Sequence, residues 1–271
     1  MTEVGQPLYN FYGYIVEGVY KDFADIENSP RAEKYPADGV FNPSTTVWVG
    51  DLKFKDVSGP DGTPDGVINE YDRTNIGSPL PKFTFGWTNT FRFWNWDLSV
   101  FLNGCYGNKI LNYNKMGQGY NGLVSMNSAW INQHNDIRDR AKLVMTDPAL
   151  GMYDITNVTV KNADTMTPRP VLSDPNDNDR LSTRYIEDGS YLRVKNITLG
   201  YTVPKKVLQR VRMDNIRLYM NIQNLYTFTK YSGYDPEVGA STTDQKGLSF
   251  GVDNGRYPSP LTCSFGVNLT F

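Results

Sequence analysis

The segment 83–93 reads FTFGWTNTFRF, and its alternation leaves the chain few choices. Phe83, Phe85, Trp87, Phe91 and Phe93 share one parity, and Thr84, Gly86, Thr88, Thr90 and Arg92 share the other. A strand sends successive side chains to opposite faces, so this segment is a strand with one strongly apolar face and one polar face. After Trp94-Asn95 the pattern resumes in WDLSVFLNG. There Trp96, Leu98, Val100 and Leu102 stand opposite Asp97, Ser99, Phe101 and Asn103, across a link short enough for a hairpin. In YLRVKNITLGYTV (191–203), Ile197, Leu199, Tyr201 and Val203 oppose Asn196, Thr198, Gly200 and Thr202, and Pro204 ends the ladder. IRLYMNIQ (216–223) sets Ile216, Leu218, Met220 and Ile222 against Arg217, Tyr219, Asn221 and Gln223. SFGVNLTF (264–271) sets Phe265, Val267, Leu269 and Phe271 against Ser264, Gly266, Asn268 and Thr270. Residues 8–20 and 46–55 are expected to add one or two more strands.

The links between these strands are unequal. The connection at 94–95 is minimal and 204–215 is modest, whereas 104–184 and 229–261 are long, polar and rich in Gly, Asn, Asp and Pro. A soluble domain rarely carries such loops. An outer-membrane barrel has short turns at one end of its strands and long loops at the other. Within the first long loop, 125–140 (SMNSAWINQHNDIRDR) is expected to be helical with Ser128 as its cap. No stretch of about 18 apolar residues is present, so no transmembrane helix is encoded. A polar mean hydropathy of −0.48 does not argue against a barrel, whose strands alternate. The 27 basic residues nearly balance the 29 acidic ones, which leaves no electrostatic footprint for nucleic acid.

Aromatic residues cluster at both ends of the strands, Phe91, Phe93, Trp94 and Trp96 at the short turn and Tyr226, Phe228 and Tyr231 at the opposite end. Paired belts of this kind mark the two interfaces of a membrane barrel. The expectation is that Phe85, Trp87, Leu98, Val100, Leu199, Leu218, Phe265 and Leu269 face lipid, with Thr88, Asn103 and Asn268 facing the lumen. In a soluble sandwich the same apolar set would instead lie under a second sheet.

Little in the chain reads as reaction chemistry, and it is expected not to be an enzyme. Asp61, Thr63, Asp65, Asn69 and Asp72, with Gly66 at the sharp turn and Ile68 after it, follow the spacing of an EF-hand-type calcium loop. Thr63 and Asp72 depart from the usual ligands, Asp56 joins if the loop folds back, and the plainer reading is a polar turn held by Asx hydrogen bonds. Asp235 and Glu237, in YDPEV, are the nearest approach to a catalytic carboxylate pair, with a structured loop or partner contact as the plainer reading. No GxSxG, phosphate loop, HExxH or dinucleotide fingerprint occurs. Cys105 and Cys263 fall on strands with two others between them, too far apart to pair. The single histidine, His134, reads as a solvated loop residue.

Several long strings resemble the C-terminal region of the SusC/RagA family of TonB-linked outer-membrane transporters. They are YGYIVEGVYKD (12–22), DGVINEYDRTNIGSPLPKFTFGW (65–87), YIEDGSYLRVKNITLGYTVP (185–204), NIQNLYTFTKYSGYDPEV (221–238) and SFGVNLTF (264–271). They run nearly the length of the chain in the family's order. The resemblance implies an all-β fold, the last antiparallel strands of a 22-stranded transmembrane barrel with long extracellular loops. It also implies import of glycans or peptides with a SusD-like surface lipoprotein, powered through TonB, in the bacterial outer membrane. On this reading residues 1–271 are a C-terminal barrel fragment. The plug domain, the TonB-contacting segment and the export signal are expected upstream, since Met1-Thr2-Glu3-Val4-Gly5 lacks a basic start and an apolar stretch. The last strand then ends at the periplasmic side, and Phe271 resembles a terminal assembly signal. The alternative is a soluble extracellular module whose Tyr and Trp stack on sugars.

Overall fold

A computed structural model describes residues 4–116, 135–171, 173–209, 213–239 and 250–271. The chain divides into two compact units, one of residues 1–78, 111–187 and 240–254, the other of 79–110, 188–239 and 255–271.

The second unit is a single antiparallel sheet. Its strands are β5 (Phe83–Phe93), β6 (Trp96–Tyr106), β11 (Tyr191–Thr202), β12 (Asn215–Thr229) and β14 (Thr262–Thr270), in the order β5-β6-β11-β12-β14. All five expected strands are present. Trp94 closes the β5–β6 hairpin with φ 54, and helix α2 (Lys205–Leu208) occupies the β11–β12 link after Pro204. Register carries the alternation across the sheet. Trp87 pairs Leu102, Leu98 pairs Leu199, Leu199 pairs Met220, and Met220 pairs Phe265. One continuous apolar face results, and it contains every residue expected to face lipid. Thr88, Asn103 and Asn268 lie on the other face. No second sheet of this unit covers the apolar set: Trp87 is 58% exposed and Phe265 77%. Cys105 and Cys263 are free, on β6 and β14, with β11 and β12 between them.

The polar face is knitted by side chains. Arg217 on β12 reaches across β11 to Asp97 on β6, with Nη2–Oδ2 at 2.6 Å and Nε–Oδ1 at 3.2 Å. Gly200 lies between them, and a Cβ there would collide with both side chains. Tyr219 lies over Gly266 and Phe101 over Gly86 in the same manner, large rings covering the gaps that strand glycines leave.

The first unit has an ordinary water-type core of Tyr20, Val47, Trp48, Val49, Leu52, Phe54, Ile68 and Val158. Its strands are short. β1 (Phe11–Gly13) pairs β4 (Thr74–Gly77), β2 (Val16–Val19) pairs β3 (Leu52–Phe54), and β8 (Leu143–Met145) pairs β9 (Val158–Val160). β7 (Lys109–Asn112) lies between β10 (Ile186–Asp188) and β13 (Val252–Asp253), parallel to the latter, with Lys109, Ile110 and Asp188 belonging to the second unit. Segments 8–20 and 46–55, expected as further strands, therefore form short ladders in this unit and not staves of the large sheet. Helix α1 (Phe23–Glu27) begins at Asp22, whose Oδ1 accepts from Asp25 N at 2.8 Å. Of the helix expected over 125–140, residues 125–134, including Ser128 and His134, lie outside the described residues, and Asn135–Asp139 forms a 3-10 turn.

A buried ion pair joins distant stretches of this unit. Asp51, fully buried, accepts from Arg169 Nε at 2.7 Å and Nη2 at 3.0 Å, from Trp48 N at 2.8 Å and from Asn178 Nδ2 at 3.3 Å. Asn178 Oδ1 in turn accepts from Leu52 N at 2.7 Å. Removing one partner of such a pair strands the other charge, at a cost of about 3–5 kcal/mol. Asp51→Ala in the intact protein should therefore expose the 47–54 segment to protease, whereas an exposed-site change such as Lys55→Ala should leave the cleavage pattern unaltered. Equal resistance of the two variants would refute the role given to the pair.

Candidate functional site

The polar face of the large sheet is interrupted near its long-loop end. Val194 pairs Leu102 and Asn196 pairs Phe101, which leaves Lys195 as an extra residue. On β12 the same interruption leaves Asn224 and Leu225 extra, with Asn224 at φ 54. A bulge of this kind re-aims side chains. Lys195 here lies beside Glu237, Nζ to Oε2 at 3.2 Å.

Arg193 lies next to the bulge and is only 2% exposed. Its Nε donates to Thr227 Oγ1 at 2.8 Å and its Nη1 to Glu237 Oε2 at 2.7 Å, while its Nη2 donates to Asp235 Oδ1. The backbone amides of Glu237 and Ser259 donate to Asp235 at 2.9 and 3.1 Å. Desolvation alone would raise the Asp235 pKa. The two amides and the Arg193 guanidinium outweigh it and hold the carboxyl below its usual range. The cluster borders a cavity of about 420 Å³ lined by Tyr191, Lys195, Asp235, Glu237, Arg256 and Tyr257. Fixed charges of both signs beside two tyrosine rings suit a polar ligand rich in hydroxyls or amides.

The structure thus brings Asp235 and Glu237 together on one guanidinium. A glycosidase needs one carboxyl with a raised pKa to act as acid, and the shift at Asp235 runs the other way. Arg193 and Lys195 were not picked out by sequence reasoning. Their signal is the break in alternation, since Leu192 and Val194 share the apolar face with Ile197, which has the opposite parity in sequence.

The 61–72 loop lies in the first unit. Gly66 adopts φ 81, as the sharp turn requires. Asp72 is buried, with Oδ1 accepting from Val57 N and Ser58 N and Oδ2 from Asn69 N. Asn69 Oδ1 caps Tyr71 N and Asp65 Oδ1 accepts from Val67 N, while Asp61 and Thr63 are exposed. Asp56 does fold back, accepting from Gly66 N at 2.6 Å, and its Oδ1 is buried without a partner. Desolvation, then the nearby Asp72 and Asp65 carboxylates, push the Asp56 pKa up. Among the described residues no three His, Cys, Asp or Glu side chains converge as a metal-holding group.

No protein-family model matches the chain. It is 31% identical over 277 aligned residues to TonB-dependent receptor P3 of Formosa agariphila, covering 98% of this chain and 22% of that protein. A second receptor of that organism, P26, is 28% identical, with 99% and 23% covered. TonB-dependent receptor SusC of Bacteroides thetaiotaomicron is 34% identical over 94 residues, which is 34% of this chain and 8% of SusC. The chain therefore spans about a quarter or less of the length of these curated relatives. A solved structure of the RagAB peptide transporter superposes with a TM-score of 0.59 at 18% identity, over 97% of this chain and 23% of that one. This likeness bears on fold alone and matches the open antiparallel sheet of the second unit.

The Arg193 cluster yields a pH expectation. Because the Asp235 pKa is depressed, the stability it contributes is fully present above the ordinary carboxylate range near about pH 4 and is lost only as pH falls through the lower folded value. Hydrogen exchange of residues 231–239 in the intact protein should be unchanged between neutral pH and that range, after correction for intrinsic rates. Asp235→Asn should speed it at neutral pH, and unchanged protection in that variant would show that the carboxylate does not hold the segment.

Proposed function

The chain belongs to the TonB-dependent receptors of the SusC/RagA kind, and on that premise we propose that it forms part of the wall of an outer-membrane importer. The cargo is a glycan or a peptide, a SusD-like surface lipoprotein is the partner, and TonB supplies the energy through the remainder of the receptor. The observation that carries the reading is the two-faced sheet. Its apolar face carries exposed large side chains on β5, β6, β12 and β14 and half-buried ones on the central β11, the inverse of a water-soluble sheet, while its polar face is crossed by the Asp97–Arg217 pair. The short links would then lie at the periplasmic end and the long ones outside. The Arg193–Asp235–Glu237 cluster would stand on the lumenal side near the outer mouth, where a hydroxyl- or amide-rich cargo passes. A soluble sugar-binding module would instead leave the rows of Phe and Trp unpaired in water.

The two faces separate these readings. Arginine at mid-strand on a lipid face costs about 2–4 kcal/mol, while lumenal substitutions are tolerated. In the full-length receptor, Val100→Arg should sharply reduce heat-modifiable barrel in the outer membrane, and Ser99→Arg, one residue away, should assemble normally. Uptake of labelled oligosaccharides and labelled peptides by the Ser99→Arg cells and by receptor-deleted cells then distinguishes the cargo class. Equal assembly of the two variants would overturn the wall assignment.

A calcium ion at the 61–72 loop is a separate proposal. It is supported by the spacing of Asp61, Thr63, Asp65, Asn69 and Asp72, by the left-handed Gly66, and by the unpartnered Asp56 oxygen. Calorimetric titration of the folded receptor with calcium should release heat that Asp65→Ala abolishes. Heat unaffected by that change would return the loop to a turn held by its own amides.

A further inference from the structure

The apolar face of the large sheet is not uniform. Near its long-loop end two aromatic walls stand apart. One is formed by Phe83, Phe85 and Tyr106 on β5 and β6, with Phe83 ring centroids 6.2 Å from Phe85 and 5.3 Å from Tyr106. The other is Tyr226 and Phe228 on β12, 4.7 Å apart and edge to face. Between them runs β11, with Leu192 and, further along the strand, Val194 on this face, and beside it Gly104 of β6 is covered by the Phe85 ring. The result is a cleft of about 680 Å³ with an aliphatic floor. It ends at a polar rim of Asp188, Ser190 and Lys230.

The rim carries one ammonium group, Lys230, beside the Asp188 carboxylate. Asp188 is occupied locally, its Oδ1 accepting from Ser190 N at 3.1 Å and Ser190 Oγ at 2.7 Å. Desolvation would raise its pKa, but the Ser190 bonds and the nearby Lys109 and Lys230 hold it below the usual carboxylate range. Lys230 thus lies at the level where the apolar face gives way to the long connections, beside a carboxylate that Ser190 already occupies.

We propose that this cleft is a binding site for one phosphorylated lipid of the outer leaflet, with an acyl chain lying over Leu192 between the aromatic walls and the headgroup phosphate at Lys230. Three features of the cleft fit that ligand. The walls are apolar and on the lipid-facing side, the floor between them is the aliphatic Leu192, and the one lining ammonium group, Lys230, lies at the outer end, where an anionic headgroup stands. The inference rests on the barrel-wall reading above.

The test uses the full-length receptor in detergent, first shown to be heat-modifiable, so that a failure of the barrel reading is seen before any lipid is added. Native mass spectrometry then reads the binding of purified lipid A, its dephosphorylated form and inorganic phosphate. Lipid A should bind, the dephosphorylated lipid should bind more weakly, and inorganic phosphate should not compete. A lysine at an anionic lipid surface contributes ~1 kcal/mol, so Lys230→Ala should weaken lipid A binding roughly five-fold. Leu192→Trp, which raises the floor without changing charge, should weaken it as well. Lys205→Ala, the same charge change at the opposite end of the sheet, should not. Wild-type affinity in both Lys230→Ala and Leu192→Trp would overturn the proposal. So would equal binding of the dephosphorylated lipid, which marks unspecific lipid contact, or competition by inorganic phosphate, which marks a simple anion site.

Discussion

Hydrocarbon offers a peptide group no hydrogen-bonding partner, so each N–H and C=O of a spanning strand must be satisfied by a neighbouring strand. The large sheet is arranged to meet that demand. β6 and β11 are paired along both edges with a break at the Lys195 bulge, and β12 is paired with β11 along its length and with β14 from Asn215 to Gln223. β5 and β14 each keep one edge open. In the wall proposed above lipid tolerates no bare edge, so β5 and β14 would each need a neighbouring strand. The exposed apolar face follows from the same demand, because side chains on a spanning sheet meet lipid outside and water inside.

Satisfying the backbone leaves the polar face as the place where sequence does specific work. The glycines there are positional. Gly200 lets Arg217 span two strand spacings to Asp97, and Gly266 and Gly86 admit the rings of Tyr219 and Phe101. The bulge performs a related task near the other end of the strands. One extra residue in β11 brings Lys195 beside Glu237, next to Arg193. The β12–β14 connection is thereby fastened to the sheet through Asp235 and Glu237. The Lys195–Glu237 pair is reached by water and worth little on its own, whereas Arg193 is buried and losing Asp235 would strand its charge.

The large sheet was legible because its signal repeats every second residue over eight or more consecutive positions in each of its strands. A period of two sustained for that length has few competing explanations. The bulge was harder to read, because a single inserted residue leaves both flanking patterns intact and changes only their phase. Tyr231, grouped by sequence with the aromatic belt of Tyr226 and Phe228, is buried, since the strand ends at Thr229 and alternation no longer governs it. At the candidate site Asp235 and Glu237 stood out as a pair. Their partner Arg193 lies over 40 residues away in sequence, and no local pattern connects them.

The first unit was illegible for a different reason. Most of its strands are three or four residues long, too short to display a period, and its core draws on 16–54, Ile68 and 141–160. What unites them is a buried charge pair, Asp51 with Arg169, and an asparagine, Asn178, that serves both the pair and the Leu52 amide. Buried ionic groups of this kind add little net stability over apolar packing and act mainly by excluding alternatives. That suits a unit assembled from separate connections, where the difficulty is selecting one arrangement of the segments. One chain thus obeys two opposite solvation rules. The first unit hides apolar groups from water around a charged centre, and the second presents apolar groups outward and keeps its charges on the inner face. A single average hydropathy hides both, which is why the alternation within segments was informative and the composition of the whole was not.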